Sequence, residues 1–122
     1  MNDLVFHGGL NAMTLGNQQF TMRNLTFRNS VTAINQIWDW GWTYKGLDIS
    51  NCSVGLNMSG GGVTAQSVGS VTVIDSIISD TPIGIATAHN ATSLPPTGGS
   101  LILENVQVSV VPGDAYTRIT VF

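Results

Sequence analysis

The densest grouping of chemically distinctive residues is Asn35-Gln36-Ile37-Trp38-Asp39-Trp40-Gly41-Trp42, which holds all three tryptophans within five positions. Flat indole faces beside amide and carboxylate groups suit recognition of a polyhydroxylated ligand. Apolar C–H faces stack on the rings while hydroxyls take hydrogen bonds. Trp38, Asp39, Trp40 and Trp42 are therefore the candidate substrate-binding residues, with a coil corner filled by indoles as the competing structural role. Gln36 and Ser59 lie 23 residues apart, a spacing that places them after equivalent apolar steps of neighbouring repeats. As a pair they could hold a water or a hydroxyl; as individuals they are ordinary solvated strand residues.

A convincing pair of carboxyl groups is missing. Glycoside hydrolysis usually needs two, about 5 to 9.5 Å apart across the scissile bond. Asp39 is the best carboxylate of the cluster, although an Asp before Trp-Gly is also a turn former. Glu104 aligns with Arg23 and Lys45 in the repeat, which reads as a solvent-facing column. His7 and His89 lack Cys, Asp or Glu at ligand spacing, so no metal site is expected. Neither a Gly-x-Ser-x-Gly elbow nor the Lys-Ser/Thr of a phosphate loop is present, and no cofactor is expected.

These residues must be positioned by a repeat. Asp3-Leu4-Val5-Phe6, Asn24-Leu25-Thr26-Phe27, Gly46-Leu47-Asp48-Ile49, Asp75-Ser76-Ile77-Ile78 and Asn105-Val106-Gln107-Val108 share one pattern, and their first residues are 21, 22, 29 and 30 positions apart. The first four continue through small or polar corners at Gly8, Asn29, Asn51 and Asp80. A second apolar step follows at Ala12-Met13, Ala33-Ile34, Gly55-Leu56 and Gly84-Ile85. Apolar positions alternate with period two, β-branched residues abound and helix formers are scarce, so each side of the coil reads as a short strand. The period predicts stacked coils, each unable to bury its apolar side alone, and the Leu-x-Phe/Ile offsets with Asn/Asp corners favour a parallel β-helix over a leucine-rich horseshoe. The expected fold is all-β, a right-handed parallel β-helix of about four to five coils over 1–111, with a divergent tail over 112–122.

Inward positions should be Leu4, Phe6, Leu25, Phe27, Leu47, Ile49, Ile78, Val106 and Val108, joined on the next side by Met13, Ile34, Leu56 and Ile85. Residues 60–66 and 89–99, where Gly, Pro and Thr concentrate, are the expected insertions that lengthen the third and fourth intervals. Neither end of the repeat reads as a cap, so the chain reads as a piece of a longer one, whose open coil ends could pair with the missing remainder or with another copy.

With 43% hydrophobic residues, 9% charged ones and a net charge of −3, the chain carries no cationic stripe, and a nucleic-acid partner is not expected. No apolar run approaches the roughly 18 residues of a membrane span, and the first residues do not read as a signal peptide. Cys52 is the single cysteine, expected as a buried thiol. Four N-glycosylation sequons begin at Asn24, Asn51, Asn57 and Asn90.

The runs Asp3-Leu4-Val5-Phe6-His7-Gly8-Gly9, Gly16-Asn17-Gln18-Gln19-Phe20-Thr21-Met22-Arg23-Asn24-Leu25-Thr26-Phe27 and Trp38-Asp39-Trp40-Gly41-Trp42-Thr43-Tyr44-Lys45 closely resemble fungal members of glycoside hydrolase family 55. Ser53-Val54-Gly55-Leu56-Asn57-Met58-Ser59 and Thr81-Pro82-Ile83-Gly84-Ile85 resemble the same family. The resemblance implies part of the first of two tandem β-helices of a secreted, extracellular exo-1,3-β-glucanase of the pectate-lyase-like superfamily. That enzyme would cleave β-1,3-glucan with inversion and without a metal. It further implies that the general-acid Glu comes from the second β-helix, the partner missing from this chain, and that Gln36 and Ser59 correspond to a water-positioning pair. The alternatives are a non-catalytic carbohydrate-binding or self-associating β-helix module, and a pectin-active member of the superfamily.

Overall fold

The computed structural model describes residues 2–59, 68–87, 100–109 and 118–120. The expected insertions at 60–66 and 89–99 lie outside the described residues, as does the expected tail apart from 118–120. The described chain forms eight strands: β1 (Asn2–His7), β2 (Asn11–Arg28), β3 (Thr32–Ser50), β4 (Val54–Met58), β5 (Ser70–Ser79), β6 (Ile83–Thr87), β7 (Ser100–Ser109) and β8 (Arg118–Thr120). All of their pairings are parallel. This is a parallel β-helix with three faces.

The long strands β2 and β3 bend around the stack, so each serves all three faces in turn. The first face carries β1, residues 23–28, residues 45–50 and the second halves of β5 and β7. On the second face lie 11–15, 32–36, β4, β6 and β8. The third face consists of 16–22, 38–44, 70–73 and 100–103. β8 pairs with β6, so the second face gains a strand beyond the residue where the sequence repeat lapses. The extra residues of the longer coils fall between β4 and β5 and between β6 and β7, always where the second face gives way to the third.

The corner residues explain why the chain turns where it does. Asp3, Asn24, Gly46, Asp75 and Asn105 all have positive φ, and so do Gly8, Asn29, Asn51 and Asp80. Asn, Asp and Gly are the residues that enter this left-handed region at least cost. Two vertical columns of such residues bracket the first face. Asn51 Nδ2 donates to Asn29 Oδ1 at 2.7 Å, and Asn105 Nδ2 donates to Asp75 Oδ1 at 2.9 Å, linking adjacent coils.

Inside, Leu25, Phe27, Leu47, Ile49, Ile78, Met13, Ile34, Leu56 and Ile85 are buried as the alternation requires. Phe6 stacks on Phe27 with ring centroids 4.9 Å apart. Full burial of a residue of this size contributes about 1.5–3 kcal/mol, which makes these columns the main stabilising feature. Leu4 departs from the expectation, being 40% exposed. It belongs to the first described coil, which has a neighbour on one side only. Phe6, Val106 and Val108 are partly buried against the core for the same reason. Cys52 is buried, with its Sγ 3.4 Å from the Ser50 carbonyl oxygen.

Candidate functional site

The Trp-rich segment forms the corner between the second and third faces of the second coil. Here the ladder is irregular. Leu15 pairs with Gln36 while Gly16 pairs with Trp38, so Ile37 is an extra residue, a β-bulge. Bulges bend a strand and re-aim its side chains. The consequence is that one segment points Gln36, Asp39 and Trp42 into the coil while it leaves Ile37 and Trp40 exposed.

Trp40 is 69% exposed. Trp38 is half-buried and lies across the coil before it: a Cβ at Gly16 would come within 2.5 Å of Trp38 Cδ1 and Nε1. Glycine at 16 therefore makes the bed on which this indole rests. Trp42 is buried and stacks at 5.4 Å on Phe20; its Nε1 has no acceptor among the described residues.

The polar residues of the corner satisfy one another. Gln36, fully buried, accepts a short hydrogen bond from the Tyr44 hydroxyl and donates through Nε2 to Asp39 Oδ2 at 3.1 Å. Asp39 Oδ1 accepts from the backbone amides of Gly69 at 3.1 Å and Ser70 at 2.9 Å. Burial raises the Asp39 carboxyl above the ordinary value, and the amides of Ser70 and Gly69 and the Gln36 side chain partly offset that rise. Burial, reinforced by the nearby Asp39 charge, pushes the Tyr44 phenol well above its usual range. This cluster clamps the third coil onto the second where the chain resumes after the residues that follow β4.

The structure thus separates residues that the spacing had grouped. Gln36 and Ser59 do not meet: Asn35 pairs with Asn57, so Met58 falls opposite Gln36 and Ser59 is offset by one residue. In a strand that offset reverses the face. Ser59 is exposed and hydrogen-bonded to Asn57 Oδ1, whereas Gln36 is enclosed. Asp39 and Trp42 are likewise corrected from ligand-facing positions to internal ones, because the carboxylate's partners and the third-face stack both lie inside the coil. Trp38 and Trp40 remain on the surface. Tyr44 and the bulge residue Ile37 were not singled out by spacing, although the change of interval from 21 to 22 residues marks the bulge.

Glu104 is exposed and in register with Ile74, itself in register with Lys45 and Arg23, so its solvent-facing column is as expected. Among the described residues, no group of three His, Cys, Asp or Glu is arranged to hold a metal ion, and no second carboxyl is hydrogen-bonded into the Asp39 cluster.

Comparison with known proteins gives the corner its context. Residues 1–57 match a family described as rhamnogalacturonase A/epimerase, pectate lyase-like. The chain is 56% identical over 106 residues to a probable glucan endo-1,3-beta-glucosidase of Arthroderma benhamiae, covering 87% of this chain and 12% of that protein. It is 45% identical over 113 residues to a glucan 1,3-beta-glucosidase of Cochliobolus carbonum, covering 92% of this chain and 14% of that protein. A protein of Penicillium expansum named non-secreted LysM effector LysM19 is 42% identical over 92 residues, 72% of this chain and 7% of its own length. The chain spans 12% and 14% of the length of the first two relatives.

Proposed function

We propose that this chain, which belongs to the pectate-lyase-like β-helices of glycoside hydrolase family 55, supplies a glucan-contacting wall to a 1,3-β-glucan hydrolase. The observation that carries the reading is the exposed indole of Trp40 beside half-buried Trp38, at the corner after which the longer coils carry their extra residues. Such a pair offers stacking surface to the C–H faces of glucose units. The names of the two glucosidase relatives support β-1,3-glucan as the substrate class.

In this reading the reaction is the inverting, exo-acting hydrolysis expected of the family, in an extracellular enzyme, and the acid that protonates the leaving oxygen comes from a second β-helix outside these 122 residues. The buried Asp39, already accepting three hydrogen bonds, supports that division of labour. The same feature favours, as a second reading, a wall that binds glucan without any catalytic share. Ser59, exposed at the end of the second face, is the one member of the expected water-positioning pair with access to solvent.

The test is a titration of the purified chain with linear β-1,3-gluco-oligosaccharides, followed by tryptophan fluorescence. Trp40→Ala is expected to weaken binding about tenfold, equivalent to about 1.4 kcal/mol, while leaving stability within about 0.5 kcal/mol. Equal affinity of variant and wild type would remove Trp40 from the glucan surface.

A further inference from the structure

Gly41 sits in the middle of a strand, a position where glycine weakens a sheet. Nothing in the fold requires it. Its φ is not in the left-handed range, and a Cβ there would meet only Gln19 Cγ, at 3.8 Å. The contrast with other strand glycines is clear: at Gly16, Gly46 and Gly55 a Cβ would come within 2.6 Å of neighbouring atoms. Gly41 instead leaves a notch of about 370 Å³ in the third face, lined by Gln19, Phe20, Thr21, Thr43, Ser70 and Thr72, with the inward-facing Trp42 behind the strand. That volume falls in the range of small-ligand sites, about 300–1,000 Å³.

The polar part of the lining is chemically uniform. Thr21 pairs with Thr43 and Thr43 with Thr72, so three hydroxyls form a row across successive coils, about 4.8 Å apart. Gln19 and Ser70 flank the gap on either side of Gly41. None of these five side chains makes a hydrogen bond within the described residues, although each can both donate and accept. No charged residue lines the notch. A second observation points the same way: Phe20, 44% exposed, borders the notch and sets an aromatic ring beside the polar row.

Free donors and acceptors of neutral type, with an aromatic ring at the edge, match a neutral polyhydroxylated ligand and fit neither an anion nor an apolar one. We infer that the Gly41 notch on the third face is a second carbohydrate-binding site, separate from the Trp38–Trp40 corner, which takes a disaccharide-length stretch of glucan. Only the choice of a β-1,3-linked glucan rests on the function proposed above. Glycine at 41 is the device that keeps the site open.

The experiment uses the 122-residue chain labelled at threonine methyls and tryptophan indoles, titrated with laminaribiose and followed by NMR. The methyl signals of Thr21, Thr43 and Thr72 are expected to shift together and saturate. Gly41→Val, a substitution the strand accommodates, should abolish those shifts, and Thr43→Val, which keeps the shape and loses the hydroxyl, should weaken them at least fivefold. Silent threonine methyls in a chain whose Trp40 indole responds would overturn the second site and leave the corner standing. Equal binding by Gly41→Val and wild type would overturn it too. Silence of both reporters would bring down the glucan reading along with it.

Discussion

Two kinds of corner turn this chain, and they are built differently. Between the first and second faces the turn is short, uniform and repeated: Gly8, Asn29, Asn51 and Asp80 stack with positive φ, and Ser30, Cys52 and Thr81 tuck their side chains beneath. Between the second and third faces no two described coils turn alike. One has Gly16 under an indole, the next has a bulge with Trp38, Asp39 and Trp40, and in the following two the residues between β4 and β5 and between β6 and β7 lengthen the interval. The regular corner sets the pitch. The irregular one is released from that duty, because the two flanking ladders already hold the coils in register, and so it can present side chains that the fold itself does not need.

That contrast can be broken most sharply inside the irregular corner. Asp39→Ala removes the carboxylate that accepts from the Ser70 amide and from buried Gln36 Nε2; the Gly69 amide keeps the Asp39 backbone carbonyl, and Gln36 Nε2 keeps only a long contact to the Trp38 carbonyl. A loss of about 2–3 kcal/mol is expected in urea unfolding. A loss under 1 kcal/mol would mean that the corner is dispensable to the stack. At the regular corner the expected effect is smaller: Asn51→Ala should lose about 1–2 kcal/mol, and Asn51→Gly, which tolerates positive φ, should recover most of it. If the two variants are equally stable, the ladder bond to Asn29 rather than the backbone conformation sets the corner's worth.

Smaller again is Gly16→Ala, which forces Trp38 off its bed; a loss of about 1 kcal/mol with red-shifted tryptophan emission is expected. Unchanged emission would show that the indole can slide without leaving the surface. The finest probe is pH. Because the native Asp39 carboxyl titrates above its ordinary value of 3.8, the folded chain holds that proton more tightly than the unfolded chain. Its contribution to stability is greatest at or below the ordinary value and declines as pH rises to the raised native one. Urea midpoints measured across that window should fall with rising pH in the wild type, and the fall should be absent in Asp39→Asn.

The regular corner was legible in the sequence because it is made of the rarest permission in the backbone, a left-handed residue, and only Asn, Asp and Gly hold it cheaply. Column and period could be read together from Asn29, Asn51 and Asp80. The inward alternation was equally plain for Leu25 and Phe27 or Leu47 and Ile49, which sit between two such fixed points. At the irregular corner the same reasoning grouped Gln36 with Ser59 and Trp40 with Trp42, and the structure divided both pairs. Gly41 was invisible to it, since an open notch and a tight contact both select glycine.

By itself, then, the sequence determined the coil, its period and the residues that fill it, because a repeated backbone constraint writes itself at repeated positions. Only the tertiary structure decided which way the tryptophans face. Trp38, Trp40 and Trp42 are two apart and would share one side of a straight strand. The bulge at Ile37 turns Asp39 inward, and the alternation breaks again between Asp39 and Trp42, both buried, as the strand rounds the corner, so that Trp40 is left in solvent and Trp42 is sealed in the core. Where the count restarts depends on the neighbouring coil, not on the segment's own residues.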